Sequence, residues 1–266
     1  MSVQTSGSPP NRTWLVGGVL ATVVALGISG TAVWRWAARP GAKTEDQAQT
    51  YQRPVSWVEL DLDAGHIEVS AGEPGEVSVR RTLHWRSGKP TIREEWHGDT
   101  LRLLAQCPED QHDCAADYTV RVPAGVPVQA DTDAGDLTVR DLTGEVRLHT
   151  GAGEVTIDNT AGKLWVRSAD GDITANGLRG DTDVETASGH LDLRYVAVPG
   201  NVRGNTGAGN IWITVPHGTG SAAQDGYRVA AETRDGKREV TVREDSASPQ
   251  VITATTASGN ITVRYA

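Results

Sequence analysis

The chain has 266 residues, a formal net charge of −9, 30 glycines and no phenylalanine. A negative net charge removes the electrostatic attraction on which nucleic-acid binding depends, so nucleic acid is excluded as a partner. Without phenylalanine the core must consist mainly of Val, Leu, Ile and Ala, which suits a thin, repetitive interior better than a globular core built on large aromatic residues.

The N-terminal region is predicted to anchor the chain in a membrane. Residues 1–13 are predicted to be a disordered tail, and residues 14–36 a single transmembrane helix in contact with membrane lipid. The first 20 residues of this segment carry no charge, which is enough to span the hydrocarbon core. Trp14, Trp34 and Trp36 mark its ends, where indole rings prefer the headgroup layer. A cleaved secretory signal is the alternative, but the apolar run is long for one and no A-x-A site follows it.

Two signals disagree about the side of the membrane on which the C-terminal domain lies. More basic residues follow the apolar segment than precede it, and the positive-inside rule would therefore leave the domain in the cytoplasm. Cys107 and Cys114, the only cysteines, lie close together in the polar sequence CPEDQHDC, which indicates a disulfide and an oxidising compartment. We therefore expect a single-pass cell-membrane protein with an extracellular β domain. His112 would permit a Cys-His-Cys metal cluster, but a fourth ligand at standard spacing is missing, so no metal is expected.

A repeat of glycines defines the domain that follows. Residues 37–53 are polar, lack hydrophobic periodicity and are predicted to be a linker. Residues 54–266 are predicted to be one β domain, and in its regular coils, residues 128–220, a glycine recurs every nine residues with one insertion of two. Alternate glycines belong to two kinds of corner, so the repeating unit is about 18 residues long. The corner glycines are Gly135, Gly144, Gly153, Gly162, Gly171, Gly180, Gly189, Gly200, Gly209 and Gly259.

Between corners, apolar and polar residues alternate, as expected for short half-buried strands. After Gly153, for example, Val155 and Ile157 share one face while Thr156 points away. A single coil buries too few aliphatic side chains to offset the entropy of ordering it, so the coils must stack. We therefore predict an all-β fold, a single-stranded parallel β-solenoid (β-helix) preceded by one transmembrane helix. The corners of the first kind have a Thr or Ser three residues before the glycine, and this hydroxyl is expected to hydrogen bond to the next coil. Their glycines are Gly135, Gly153, Gly171, Gly189, Gly209 and Gly259.

The two ends of the domain are less regular. Residues 54–127 are predicted to be an irregular cap, with antiparallel hairpins and three tryptophans over the open end of the core. These are Trp57, Trp85 and Trp96. Asp235-Gly236 between two alternating runs predicts an inserted hairpin over residues 221–250, and residues 251–266 are predicted to be the last coil.

The repeated corner [ST]-x-[AGSD]-G-x-[ILV], the segment DYTVRVPAGVPVQADTDAGDLTVRDLTGEV and the terminal ASGNITVRY are the basis of a family resemblance. From about Val55 to the end, the chain resembles the bacterial "putative adhesin" family, which comprises domains of unknown function made of stacked parallel coils, often behind a transmembrane helix. The resemblance implies a surface-exposed solenoid. It also implies relatives among bacterial β-helix proteins that polymerise end to end, hence a capacity for self-association. The resemblance assigns no functional residues to this chain.

Metal binding and catalysis are not expected. The polar residues after the corner glycines include Asp136, Glu154 and Asp172, which could hold calcium weakly, but the chain lacks the Gly-Gly-x-Gly-x-Asp pattern of calcium-binding repeats. A solvated polar row is the simpler interpretation. A glycan-active β-helix enzyme needs converging acids in a groove walled by long loops, whereas these corners are minimal. No cofactor is expected.

The expected function is that of a non-catalytic, membrane-anchored cell-surface scaffold or adhesin-like binding module. A flat solenoid face suits contact with an unknown protein or polysaccharide better than capture of a small molecule. Trp165 and Trp212 are the candidate binding surface, provided that both lie on one outward face. The alternatives are an envelope accessory subunit of a signalling or transport complex and a glycan-active enzyme.

Overall fold

The computed structural model describes residues 41–109, 113–217 and 226–266. Within these ranges the secondary structure consists of strands. The strands before the regular coils are β1 (Lys43–Tyr51), β2 (Trp57–Ala64), β3 (Ile67–Gly72), β4 (Val77–Trp85), β5 (Thr91–His97), β6 (Thr100–Gln106) and β7 (Cys114–Pro123). The others are β8 (Val128–Ala134), β9 (Leu137–Arg140), β10 (Val146–Ala152), β11 (Val155–Asp158), β12 (Leu164–Asp170), β13 (Ile173–Leu178), β14 (Thr182–Ser188), β15 (Leu191–Tyr195), β16 (Asn201–Ala208), β17 (Ile211–Val215), β18 (Arg228–Asp235), β19 (Arg238–Val240), β20 (Val251–Ser258) and β21 (Ile261–Tyr265).

The strands form two sheets. Sheet A has the order β1-β4-β7-β3-β9-β11-β13-β15-β17-β21-β19, and sheet B has the order β18-β20-β16-β14-β12-β10-β8-β2-β6-β5. Each regular coil gives one strand to each sheet. Val146 pairs with Leu164, and Val155 with Ile173, so equivalent residues of these neighbouring coils are 18 apart and their strands are parallel. The predicted all-β architecture of stacked, largely parallel coils is therefore confirmed.

The core lies between the two sheets and consists of aliphatic ladders. One ladder in sheet A is fully buried at every step. It consists of Leu137, Val155, Ile173, Leu191, Ile211 and Ile261. Sheet B contributes Val146, Leu148 and their equivalents, while the residues between them point outward. The period-two alternation therefore predicted the inward face of each strand correctly.

The predicted tail and transmembrane segment, residues 1–13 and 14–36, lie outside the described residues. Among the residues that the structure does describe, we found no helix with the length and apolar character needed to cross a membrane.

The predicted linker is wrong for its C-terminal half. Lys43–Tyr51 is strand β1, which pairs antiparallel with β4 along nine residues. It is an edge strand with one neighbour, and most of its side chains are exposed. For this reason it lacks the apolar alternation that would have revealed a strand in the sequence.

The predicted cap, residues 54–127, is more regular than expected. β2 and β3 form a coil that pairs in parallel with β8 and β9, and β6 and β7 form a second coil on its other side. Antiparallel pairing is confined to β5 on β6 and to β4 and β1 beyond β7. Trp85 and Trp96 pack against the core as expected. Trp57 is half-buried beside the guanidinium of Arg147.

The predicted hairpin over residues 221–250 is wrong, and so is the placement of residues 251–266 as the last coil. β18 lies in sheet B and β19 in sheet A, where they pair in parallel with β20 and β21. β20 and β21 also pair with β16 and β17, so the C-terminal coil is inserted between two earlier ones. Gly236 is a solenoid corner, because a Cβ there would lie 1.9 Å from the carbonyl oxygen of Gly259. The Asp-Gly signal marked this corner, not a hairpin turn.

Candidate functional site

The corner glycines are structural, and the two kinds of corner need glycine for different reasons. Gly171, of the first kind, has φ +145°, and an added Cβ would lie 1.9 Å from the carbonyl oxygen of Gly153 in the neighbouring coil. Gly162 and Gly180, of the second kind, have no such φ, but an added Cβ would lie 2.0 Å and 2.2 Å from the neighbouring glycine oxygen. At Gly200 the obstacle is a side chain, because Oδ1 of Asp181 lies 2.9 Å from the Cβ position.

The hydroxyl column at the first kind of corner joins successive coils, as predicted. Thr150 Oγ1 donates to the carbonyl oxygen of Gly135 at 3.1 Å, and Thr206 Oγ1 donates to that of Gly189 at 2.9 Å. Ser168 is the exception, because its buried Oγ has no hydrogen-bond partner among the described residues. The column is therefore part of the scaffold and does not form a binding site.

The polar row after the corner glycines has a role that neither sequence interpretation anticipated. Oδ1 of Asp136 accepts the backbone N–H of Glu154 at 2.8 Å, and Oδ1 of Asp172 accepts that of His190 at 2.7 Å. Each of these side chains therefore satisfies the backbone of the next coil. In the described ranges no group of three or more His, Cys, Asp or Glu side chains could hold a metal ion.

Cys107 and Cys114 form a disulfide, as predicted, and the described residues include no free cysteine. The bond joins the end of β6 in sheet B to the start of β7 in sheet A. It thus stands at a position where other coils have a glycine corner. The N–H of Cys107 also donates to Oδ2 of Asp63 in the neighbouring coil at 2.8 Å.

The two candidate tryptophans lie on different sheets, so the condition under which they were expected to form one binding surface is not met. Trp165 lies on β12 in sheet B and is 38% exposed. Trp212 lies on β17 in sheet A, is half-buried, and has its ring centroid 5.6 Å from that of His190. The sequence held the signal, because Trp165 follows a corner of the second kind and Trp212 one of the first kind. The two corners lead into different sheets.

Trp165 lies in a groove on the outer face of sheet B, which we call the Trp165 groove. Its volume is about 570 Å³. It crosses β8, β10, β12, β14 and β16, so it runs along the solenoid axis. Four strand spacings of about 4.8 Å give it a length of about 19 Å. The charged side chains that line it are Asp131, Glu145, Arg147, Lys163, Asp181 and Asp183.

Ion pairs hold the side chains around Trp165 in place. The guanidinium carbon of Arg167 lies 4.4 Å from the Trp165 ring centroid, within the range of a cation–π contact. Arg167 in turn pairs with Asp183 at 3.0 Å and with Glu185 at 3.2 Å. Arg147, on the preceding coil, pairs with Glu145 at 2.6 Å. The indole is therefore presented on a fixed polar surface.

The alternation along each strand predicted that these charged side chains point outward, but it did not predict the groove. The charges of successive coils form a column on sheet B: His149 pairs in register with Asp131 and Arg167, and Arg167 pairs with Glu185. The groove depends on how the long side chains of neighbouring coils stand beside the indole. A period-two pattern gives the direction of a side chain but not its height or its contacts.

The stack of two-stranded coils with glycine corners places the protein among the β-solenoid domains. Residues 126–264, more than half of the chain, match the Toastrack DUF4097 family, and the chain belongs to it. This assignment confirms the resemblance to a "putative adhesin" family of unknown function. No curated protein matches the chain.

Several solved bacterial structures are similar to the chain. A "putative adhesin" from Bacteroides fragilis shares 14% identity with a TM-score of 0.49 over 84% of this chain and 97% of the other. A "putative cell adhesion protein" from Clostridium sporogenes shares 12% identity with a TM-score of 0.39 over 84% and 100%. A "putative lipid binding protein" from Parabacteroides distasonis shares 9% identity with a TM-score of 0.28 over 85% and 97%. The family assignment rests on the family match and not on these structures.

Proposed function

We propose that the protein is a membrane-anchored, non-catalytic binding module of the cell surface that contacts its partner through the Trp165 groove. The observation that carries the proposal is the 38% exposure of a tryptophan inside a groove. Among the described residues, the only other large hydrophobic side chain of comparable exposure is Val196. Tryptophans in such positions are frequent anchors of binding energy, because a partner removes a large apolar surface from water.

The rigidity of the groove supports a role in binding. β12, which carries Trp165, is paired on both sides, with β10 and β14. The ion pairs of Arg147 and Arg167 restrain the side chains around it. A ligand would therefore meet a surface that loses little conformational freedom on binding, which favours affinity.

The engagement of the groove carboxylates supports a non-catalytic role. Asp181 Oδ1 accepts the N–H groups of Gly200 and Asn201 at 3.1 Å and 2.9 Å. Glu145 and Asp183 are paired with arginines. A general acid or base must exchange its proton with the substrate, and these acids have scaffold partners instead. We expect no release of reducing sugar when the full-length protein is incubated with polysaccharides. Release that requires a groove carboxylate would contradict the proposal.

The surface location is supported by two features. The apolar segment 14–36 has the length of a membrane anchor, and a disulfide such as Cys107–Cys114 persists mainly in oxidising compartments. After mild reduction of intact cells, a membrane-impermeant maleimide should label the wild-type protein. A variant with Cys107→Ser and Cys114→Ser is the control. Labelling that appears only after the cells are permeabilised would place the domain inside and overturn this part of the proposal.

The binding role is tested on the full-length protein in lipid nanodiscs, mixed with washed envelopes of the cells that express it. Cosedimentation should fall in Trp165→Ala and stay at the wild-type level in Trp212→Ala, which alters a half-buried indole on the other sheet. Equal retention of the wild type and Trp165→Ala would show that the groove is not the binding site. Thermal unfolding of each variant verifies that the fold is retained.

A further inference from the structure

We infer that the ligand of the Trp165 groove is an uncharged polysaccharide chain that lies along the solenoid axis. This inference rests on the proposed function of the groove as a binding site and adds the chemical class of the ligand. Three features of the groove carry it: its charge, its single aromatic ring and its direction.

The charge of the groove disfavours an anionic polymer. Among the described residues, four carboxylates and two cations, Arg147 and Lys163, line it. Arginines balance two of these carboxylates, Arg147 at Glu145 and Arg167 at Asp183. The other two outnumber Lys163, the one lining cation that makes no ion pair with a described residue, so the lining is net negative. The whole chain carries −9. A polyanionic glycan would therefore meet repulsion along the groove, whereas an uncharged chain would not.

The single aromatic ring disfavours a protein partner. The buried centre of a protein interface is usually apolar and combines several aromatic or aliphatic side chains. This groove offers one exposed large hydrophobic side chain, Trp165, among polar residues, and the two leucines of its lining, Leu148 and Leu164, are buried. A sugar ring has the matching composition, with one C–H face that can lie on an indole and a rim of hydroxyl groups. Each carboxylate around Trp165 retains acceptor capacity for these hydroxyls beyond its existing partner.

The direction of the groove favours a chain over a single sugar. The lining begins at Gln129 on β8 and extends to Asn201 at the start of β16, across five consecutive strands of sheet B. At about 4.8 Å per strand this distance is about 19 Å. Trp165 lies on the third of these strands, near the middle. A linear polysaccharide could therefore place one ring on the indole and extend in both directions.

The test is calorimetric titration of the full-length protein in detergent micelles with named polymers. Dextran, laminarin and galactomannan serve as uncharged probes, and alginate and polygalacturonate as anionic probes. We expect at least one uncharged polymer to bind, with a Kd that rises about tenfold or more in Trp165→Ala. Trp165→Phe should retain part of the affinity. Trp212→Ala, the matched control on sheet A, should change Kd by less than about twofold.

Salt dependence separates the ligand classes. The Kd for an uncharged polymer should stay nearly constant when NaCl is raised from about 0.05 M to about 0.5 M, because there is no ligand charge to screen. Binding of only the anionic probes, with affinity lost in salt, would overturn the inference. The absence of binding by every uncharged probe would do the same.

The envelope experiment distinguishes failure of this inference from failure of the proposed function. If envelope retention depends on Trp165 but is abolished by protease treatment of the envelopes, the partner is a protein. The ligand class is then wrong and the binding role stands. If retention does not depend on Trp165, the binding role fails as well.

Discussion

The side chains of Thr182 and Tyr195 are hydrogen-bonded to each other inside the core. Thr182 lies on β14 in sheet B and Tyr195 on β15 in sheet A, so the bond joins the two sheets. The residues are 5% and 2% exposed. Thr182 occupies a position that is Leu164 in one neighbouring coil and Val202 in the other. A polar residue is tolerated in this aliphatic ladder because the phenol hydroxyl is within hydrogen-bonding reach.

This pair predicts non-additive effects on stability. Tyr195→Phe should leave the Thr182 hydroxyl buried without a partner and lower the free energy of unfolding by about 1–3 kcal/mol. Thr182→Val should lower the free energy of unfolding by a comparable amount, because the buried hydroxyl of Tyr195 then lacks its partner. The double variant should lose less than the sum of the two, because no polar group remains unsatisfied. Urea unfolding of the four proteins measures this. Strict additivity would show that the bond contributes nothing.

Buried tyrosines predict weakening of the fold at alkaline pH. Burial raises the pKa of Tyr195 in the folded protein, and a repulsive contribution from Asp181 adds to this effect. The phenols of the unfolded chain lose their protons near pH 10. The free energy of unfolding should therefore be independent of Tyr195 below that pH and fall above it, since only the unfolded state releases the proton. Urea midpoints between about pH 9 and about pH 11 should fall less steeply in Tyr195→Phe than in the wild type.

The corner at Gly171 predicts a large difference between two adjacent substitutions. Gly171→Val places a Cβ against the carbonyl oxygen of Gly153 at a φ that side chains avoid, and should cost at least about 3 kcal/mol of unfolding free energy. Asp172→Asn should cost less than about 0.5 kcal/mol, because the amide oxygen can still accept the N–H of His190. Equal melting temperatures for the two variants would refute the stacking geometry.

The inserted C-terminal coil predicts that a short truncation disrupts two coils. A chain that ends at Gln250 lacks β20 and β21, the strands that pair with β18 and β19 in the structure. β18 and β19 should then become sensitive to protease and lose amide protection, although their residues are still present. A chain that lacks Ala266 alone is the control. Protection of β18 and β19 in the truncated chain would mean that they can pair elsewhere.

The disulfide predicts a moderate loss of stability on reduction. Cys107 and Cys114 are seven positions apart in the sequence, and closing so short a loop contributes about 2.5 kcal/mol by restricting the unfolded chain. The variant with Cys107→Ser and Cys114→Ser should lose that amount of unfolding free energy in oxidising buffer, which lowers its urea midpoint. The wild type with reductant should match the variant. An unchanged midpoint would show that the β6–β7 corner is held by other contacts, such as the N–H of Cys107 on Asp63.

The sequence predicted the structure of the middle of the domain better than that of its ends. In the middle, the residues that determine each coil lie within 18 positions of one another, and their pattern was sufficient to predict the shared inward face of Val155 and Ile157, which are both buried. At the ends, β1 is an exposed edge strand without alternation, and Asp235-Gly236 serves as a corner in place of a hairpin turn. In both cases the outcome depended on pairing with a strand that the 18-residue spacing does not specify.

The candidate site was likewise predicted only in part from the sequence. The alternation in sequence predicted that Trp165 points outward, and it does. It did not reveal that Arg167 lies over the ring, or that Trp212 lies on the other sheet. The first depends on side-chain conformation across neighbouring coils. The second could have been read from the kind of corner that precedes each tryptophan.

By itself, the sequence determined the coil length, the inward face of each regular strand, the glycine corners and the disulfide. These features follow from local rules: alternation along a strand, the small space at a corner, and the proximity of two cysteines. Only the tertiary structure decided the order of the coils at both ends and the shape of the Trp165 groove. An edge strand without apolar alternation carries no local signal for its partner. The groove is formed by side chains from five coils, so neither feature is encoded within a single repeat.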